Sequence, residues 1–287
     1  MTGPSVQHLE GDRLHLQHGP IDVVLRAWGA AGAVRTAYEA VSTRFATILP
    51  ELAGELAELR KPMSARPQVE GPVARRMVTA CRPHAGLFVT PMAAVAGAVA
   101  DELLDCMVEA APLDRAFVND GGDIAVHLTE GERLDIAIAA DFSRGPVPAV
   151  NGRVCLTHLD GIGGIATSGA QGRSFSLGIA DSVTVLARDA ASADVAATLI
   201  GNAVALDHPA VERRPARTLD PDSDLGDLLV TTGVGPLETA AVLAALEAGR
   251  ARAEQFRLRG LIRDCALALR GEAVTLGSTR FLGERNP

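Results

Sequence analysis

The chain has 287 residues, 47% hydrophobic and 22% charged, with a net charge of −8 at neutral pH. That length allows one large domain or two small ones and buries a substantial core, while the composition excludes intrinsic disorder, collagen and coiled coil. Aromatic residues are scarce at 3%, Lys61 is the single lysine, and no run of Lys or Arg can neutralise a row of phosphates, so a nucleic-acid partner is not expected.

Arg13 to Gln17 and Ile21 to Leu25 alternate and predict two short strands around a turn at Gly19-Pro20. Val34, Tyr38, Val41, Phe45, Ile48, Leu52, Leu56 and Leu59 recur every three or four residues, which predicts one long helix over most of Ala30 to Arg60, kinked at Pro50. A Pro-containing loop over Lys61 to Gly71 precedes a short helix over Val73 to Cys81. Thr90-Pro91 then starts an apolar helix from about Met92 to Met107, a favourable start because the N–H that proline lacks is not needed there. Its small residues, from Ala93 and Ala94 through Ala96 and Gly97 to Ala100, leave room for a close approach.

In the middle third, Ala116 to Val118 and Ile124 to Leu128 read as strands flanking Asn119-Asp120-Gly121-Gly122-Asp123, and Leu134 to Ala140 and Arg153 to Thr157 continue the β pattern. A glycine-rich loop from Gly161 to Gly169 precedes a strand over Ser182 to Ala187 and a helix over Ala190 to Leu206. An acidic loop (Asp220 to Asp227), a strand over Leu228 to Thr232, a helix over about Leu237 to Gly249 and strands over Ala266 to Leu269 and Ala273 to Leu276 complete the pattern. Strands and helices alternate without the spacing of a βαβ array, so the prediction is an α+β fold.

Met1 to Leu14 carries Glu10 and Asp12 and lacks a basic start followed by an apolar stretch, so it does not read as a signal peptide. Met92 to Val99, the most apolar segment, is too short to span a bilayer. The four cysteines (Cys81, Cys106, Cys155, Cys265) are far apart and form no C-x-x-C pair, which points to buried free thiols. The expectation is a cytoplasmic protein with no membrane partner, and the alanine-rich helical faces permit a homodimer.

Familiar motifs fail. A Walker lysine is impossible with Lys61 alone in its loop; the glycines at 161, 163 and 164 miss the dinucleotide-binding spacing; and the acidic loop has Leu225 where a calcium loop needs its sharp-turn glycine. Two features remain. Gly121-Gly122-Asp123 sits between strands, where paired glycines let a phosphate or ring approach the backbone and the carboxylate can orient it; the alternative is a plain hairpin turn. Asp194 and Thr198 lie four apart on a helix and project from one face, offering hard oxygen ligands of the kind Mg²⁺ takes; the alternative is helical capping or exposure.

Together these segments resemble the ApbE-type flavin transferases, which move FMN from FAD onto a protein Thr or Ser with Mg²⁺. The strand, G-G-D, strand element is matched by Asn119 to Ile124, the T-S-G element by Thr167-Ser168-Gly169, and the A-D-A-x-x-T helix by Ala193 to Thr198 after the strand Ser182 to Val185. Ala93 to Asp101 resembles the family's G-G-I-A-K-G-x-x-V-D helix, keeping Gly97 and Asp101 but carrying Ala96 in place of the lysine. The whole chain is similar to a branch of that superfamily of unknown function, on Val73 to Met77, Thr90 to Gly97, Ile165 to Gly169, Arg173 to Ser182 and Pro221 to Gly226.

The resemblance implies the ApbE-like fold, a single α+β domain over 1–287 with an antiparallel sheet core and flanking helices, and a Mg²⁺-dependent transferase acting on FAD, with Asp194 and Thr198 on the metal. Gly121, Gly122 and Asp123 would hold the nucleotide and Thr167, Ser168 and Gly169 line the cleft, while Asp123 and His158 are candidates for taking the proton. Arg173, with Arg75 and Arg76, would replace the missing lysine on the diphosphate, a guanidinium being suited to bidentate contact; alternatively the arginines pair with Asp181 and the acidic loop. The partners implied are a flavin nucleotide and an acceptor protein. Two rival readings are a flavin, nucleotide or small-anion binder without transfer, and an enzyme of different chemistry on the same cleft.

Overall fold

The computed structural model describes residues 3–141, 149–170, 172 and 174–277. Strands β1 (Ser5–Leu9), β2 (Arg13–His18) and β3 (Ile21–Trp28) precede helices α1 (Ala31–Gly54), the single turn α2 (Leu56–Leu59), α3 (Pro72–Cys81) and α4 (Val95–Ala110). Strands β4 (Arg115–Asp120), β5 (Asp123–Leu128), β6 (Arg133–Asp141), β7 (Ala149–Thr157), β8 (Gly164–Ser168) and β9 (Ser182–Ala187) lead to α5 (Ala190–Ala203). Then come β10 (Val211–Pro215), β11 (Leu229–Val234), α6 (Thr239–Leu258), β12 (Asp264–Leu269) and β13 (Glu272–Leu276). The class is α+β, as the pattern of elements predicts, with the antiparallel sheet and helices that the resemblance implies.

The chain forms two compact units: the described parts of Met1–Leu134, Thr157–Ala166 and Ala187–Val195, and those of Asp135–Leu156, Thr167–Leu186 and Ala196–Pro287. In the first unit, β1 to β5 form an antiparallel meander, and β8 pairs with β5 through Ile124↔Ile165 and Ala125↔Gly164. Period-two alternation sends Leu14, Leu16, Val23, Leu25, Ala116, Val118 and Ala125 to one buried face while Arg13, Gln17 and Asp22 stay exposed. Helix α1 lays its stripe of Ala37, Tyr38, Val41, Phe45, Ile48 and Leu52 into that core, against β2, β3 and α4. In the second unit β9, buried at every position, pairs with β12, which pairs with β13; α6 covers β12 and β13, and β10–β11 and β6–β7 form separate two-stranded sheets.

Four expectations shift. The long helix runs through Pro50 and breaks at Gly54, where Glu55 leaves helical geometry at φ −108° and ψ 7°. The apolar helix begins as a 3₁₀ turn over Pro91–Ala94 and becomes α-helical only at Val95. The glycine-rich stretch holds a strand: a Cβ on Gly164 would collide with the backbone of Asp189 and Ala190, so this glycine serves packing within a strand. Helix α6 likewise continues past Gly249, whose missing Cβ makes room for Leu267 Cδ2, 2.7 Å from where that Cβ would stand. Among the described residues no helix is long and apolar enough to cross a membrane.

Candidate functional site

Every α-helix begins with four backbone N–H groups that no intrahelical carbonyl can satisfy. At the start of α5, Asp189 accepts from the Ser192 N–H at 2.7 Å, in the manner of an N-cap. The Ala190 and Ala191 N–H groups donate instead to Asp101 of α4, one to each carboxylate oxygen, both at 2.9 Å. The start of α4 has the complementary need, because Ala94 precedes it and has no side-chain acceptor. There Asp194 of α5 fills the gap: the Gly97 N–H donates to its Oδ2 at 3.1 Å, and the Ala96 N–H donates to it as well. Each helix therefore caps the other with an aspartate.

Gly97 makes this crossing possible. A Cβ there would stand 2.5 Å from the Ala190 carbonyl carbon and 2.7 Å from the Ala191 nitrogen, which are backbone atoms with no side-chain freedom to yield. The TPMAAVAG segment thus carries its glycine where the two helix starts touch.

The junction concentrates negative charge. Asp101 is 8% exposed and Asp120, the last residue of β4, 4% exposed, while Asp194 is half-buried. Burial pushes the Asp101 carboxyl up to about 7, against the pull of its two N–H donors and of the nearby Arg76 charge. Burial also raises Asp194 well above the usual carboxylate range, and the charges of Asp120 and Asp101 add to the effect. The thiol of Cys81, buried in the same unit, is raised by desolvation and by the charge of Asp194. None of the four cysteines forms a disulfide; Cys81 and Cys265 are buried and Cys106 and Cys155 half-buried.

The other predicted residues are distributed as follows. Gly121 and Gly122, with φ of +64° and +114°, form the tight turn between Asp120 and Asp123, which face each other as the last β4–β5 pair. The Gly122 N–H is committed to Asn119 Oδ1 at 2.8 Å, so this nitrogen is not available as a phosphate donor. His158 lies in the turn after β7 and accepts from the Gly131 N–H at 3.4 Å, beyond the far end of β5 from Asp123. Five strand steps at roughly 3.3 Å each separate the two ends of β5, so the structure does not bring His158 and Asp123 together. Thr198 stands one turn beyond Asp194 on α5 and is half-buried.

In the second unit Thr167 shares a hydrogen bond with the hydroxyl of Thr184 at 2.9 Å, and Ser168 follows it at the end of β8. Gly169 lacks a Cβ that would lie 3.0 Å from the Asp181 carbonyl carbon, so it serves a close backbone approach. Arg173 lies outside the described residues. Arg76 pairs with Glu102 at 2.9 Å and Asp105 at 2.7 Å, and Arg75 donates to the Glu70 carbonyl at 2.6 Å. Asp181 accepts from the Arg270 backbone N–H at β12–β13, and the acidic-loop Asp227 pairs with Arg217 at 2.6 Å, so Arg76 finds its carboxylates on α4. Of the few aromatic rings, Phe117 tilts against Trp28 with centroids 6.1 Å apart, while Phe88 and Phe175 are 44% and 37% exposed.

The sequence missed Asp120, which reads as one more residue of a polar turn. Its signal is the register, since alternation along β4 puts Asp120 on the same buried face as Ala116 and Val118. The donor chemistry suits Mg²⁺. Among the described residues no three His, Cys, Asp or Glu side chains gather to hold a metal by themselves, as a zinc site would require. Mg²⁺ takes only one or two carboxylates and completes its shell with water, carbonyls and substrate phosphate, and a half-buried Asp194 raised by neighbouring carboxylates is a group that a divalent cation stabilises.

The profile of a family described as AbpE bacteria matches residues 6–275. A UPF0280 protein of Methanothrix thermoacetophila is 39% identical over 160 residues, 55% of this chain and 62% of that protein. The chain spans less than two thirds of the length of this and the next curated relatives it matches. Among solved structures, the ApbE protein of Thermotoga maritima aligns with a TM-score of 0.49 at 13% identity, covering 94% of this chain and 96% of that one. The apo flavinyl transferase ApbE of Pseudomonas stutzeri aligns with a TM-score of 0.45 at 14% identity, covering 98% and 96%. With its profile matched from residue 6 to residue 275, the chain belongs to the AbpE bacteria family.

Proposed function

We propose that the protein is a Mg²⁺-dependent, flavin-transferase-like enzyme that acts on FAD, passing FMN to a hydroxyl of an acceptor protein and releasing AMP. The observation that carries this reading is the half-buried Asp194, held at the start of α4 among the buried carboxylates Asp101 and Asp120, where a divalent cation neutralises charge the fold leaves concentrated. Family membership and the match of Ala193 to Thr198 to the A-D-A-x-x-T element support it.

In this reading Asp194 and Thr198 hold the cation. When bound, Mg²⁺ stabilises the charge that develops on the pyrophosphate as AMP departs. The Gly121-Gly122 turn lets the nucleotide approach the backbone, since a Cβ on Gly122 would have nothing within 4 Å. Thr167, Ser168 and Gly169 are further residues that the resemblance assigns to the nucleotide, and Arg173 is the one it assigns to the diphosphate. Asp123 takes the proton from the acceptor hydroxyl, and His158, bound to the Gly131 turn, serves that turn.

Ala96 favours a second reading. It stands where the flavin transferases carry a lysine, and its N–H is directed to Asp194, so a cation that would hold the diphosphate is missing from this helix. A binder of flavin or nucleotide without transfer fits that loss. Incubation of the purified protein with FAD, Mg²⁺ and a hydroxyl-bearing acceptor, with and without EDTA, tests both. The transferase reading expects Mg²⁺-dependent AMP that disappears in Asp194→Ala; tight FAD binding with no AMP supports the binder, and absence of flavin or nucleotide binding by calorimetry refutes both.

A further inference from the structure

We propose that Asp101 is the positioning residue of the cation site: by bridging α4 to the first turn of α5 it sets where Asp194 stands, without itself touching the cation. The inference rests on the reading of Asp194 as a cation ligand. Asp101 is 8% exposed and both of its oxygens are engaged, Oδ1 by the Ala190 N–H and Oδ2 by the Ala191 N–H. Each oxygen thus holds a helix-start N–H that would otherwise be unsatisfied, which commits the carboxylate to the bridge.

Asp194 follows Ala191 by three residues, about 4.5 Å along the same helix, so whatever holds the first turn of α5 holds Asp194. In the opposite sense, Asp194 bonds to Gly97 and Ala96, one turn before Asp101 on α4. Two carboxylate links of opposite direction join the helices, with Gly97 letting the backbones touch between them. One link would leave the helices free to pivot about it; two remove that rotation. The Gly97 N–H on Oδ2, together with the Ala96 N–H, then holds the Asp194 carboxylate in place. Asp189 also caps α5, through Ser192, but belongs to the same segment and makes no bridge to α4 in these contacts.

Mn²⁺ titration followed by electron paramagnetic resonance supplies the test, on the full chain without flavin. Asp101→Asn removes the charge and one acceptor; Asp101→Glu keeps the charge and displaces the oxygens by a methylene. Loss of an outer partner of a metal ligand weakens affinity roughly 10- to 100-fold, so both variants are expected to bind Mn²⁺ at least about 10-fold more weakly with unchanged stoichiometry. Asp189→Ala, which loses a cap but no bridge, is expected to stay within about twofold of the parent. Asp101→Glu carries the test if Asp101→Asn does not fold. Parent-like affinity in Asp101→Glu overturns the proposal, because charge alone would then suffice. Complete loss in both Asp101 variants, matching Asp194→Ala, also overturns it by making Asp101 a ligand, and equal weakening in Asp189→Ala reduces it to ordinary helix capping. If the parent protein itself binds no Mn²⁺, the cation reading of Asp194 falls together with the proposal, a failure visible before any variant is made.

Discussion

Replacing Gly97 with alanine forces a methyl group into the space where α4 meets the start of α5. The new Cβ would lie 2.5 Å from the Ala190 carbonyl carbon and 2.7 Å from the Ala191 nitrogen, about 1 Å inside ordinary contact, and neither atom can rotate away. Overpacking of this kind costs about 1–3 kcal/mol. The helices must separate, which lengthens the Gly97 N–H bond to Asp194, now 3.1 Å, and the two bonds of Asp101, now 2.9 Å. Weakening one bond to a charged group adds about 1.5–3 kcal/mol, while alanine's better helix propensity returns up to about 1 kcal/mol. The net expectation is a loss of about 3 kcal/mol, or roughly 6–12 °C in Tm for a chain of this size. The matched control is Gly32→Ala in the first turn of α1, where a Cβ meets nothing within 4 Å and the change is expected to be neutral or stabilising by about 0.5 kcal/mol. Urea unfolding of the two variants beside the parent gives the comparison. Equal midpoints for Gly97→Ala and Gly32→Ala would refute the close-crossing argument.

Arg76→Ala removes pairs with Glu102 and Asp105 on a half-exposed surface, so it is expected to cost about 1 kcal/mol while leaving FAD affinity by calorimetry unchanged; a large loss of affinity would restore Arg76 to the diphosphate. The pH dependence follows from Asp101, whose proton affinity rises from an ordinary 3.8 to about 7 in the folded protein. The folded state then holds the proton more tightly than the unfolded one, so this contribution is complete below pH 3.8 and disappears as pH rises through 7. At about 1.4 kcal/mol per tenfold change in proton affinity it amounts to at most about 4 kcal/mol. Urea midpoints in EDTA are expected to fall between pH 5 and pH 8. Saturating Mg²⁺ is expected to raise the midpoint more at pH 8, where Asp194 is more fully ionised; an equal shift at both values contradicts the cation reading.

Much of the fold was legible because it is local. Alternation announced β2 and β3, short strand-like runs announced β4 and β5, and the three-to-four spacing of Val41, Phe45, Ile48 and Leu52 announced α1. Strand β1 gave no such signal because all but Leu9 of its residues are exposed, so an edge strand needs no alternation. The glycine-rich segment misled for a different reason: glycine marks both loops and close backbone approaches, and Gly164 belongs to the second kind through neighbours 25 and 26 residues away, Asp189 and Ala190.

The site divides along the same line. By itself the sequence determined most of the element types, the absence of a lysine at Ala96, and the pattern that placed Asp194 and Thr198 on one helix. It also marked Gly97 and Asp101 as a pair on the preceding helix, but with no physical reason for either. Tertiary structure alone decided that reason, because the N–H groups that Asp101 satisfies belong to residues 89 and 90 positions later, and those that Asp194 satisfies lie on α4. It also decided that Asp120 is buried and electrostatically coupled to Asp194, and that His158 stands at the other end of β5 from Asp123. A side chain's periodicity reports which face it occupies; only the crossing of two helices determines which unsatisfied groups that face will meet.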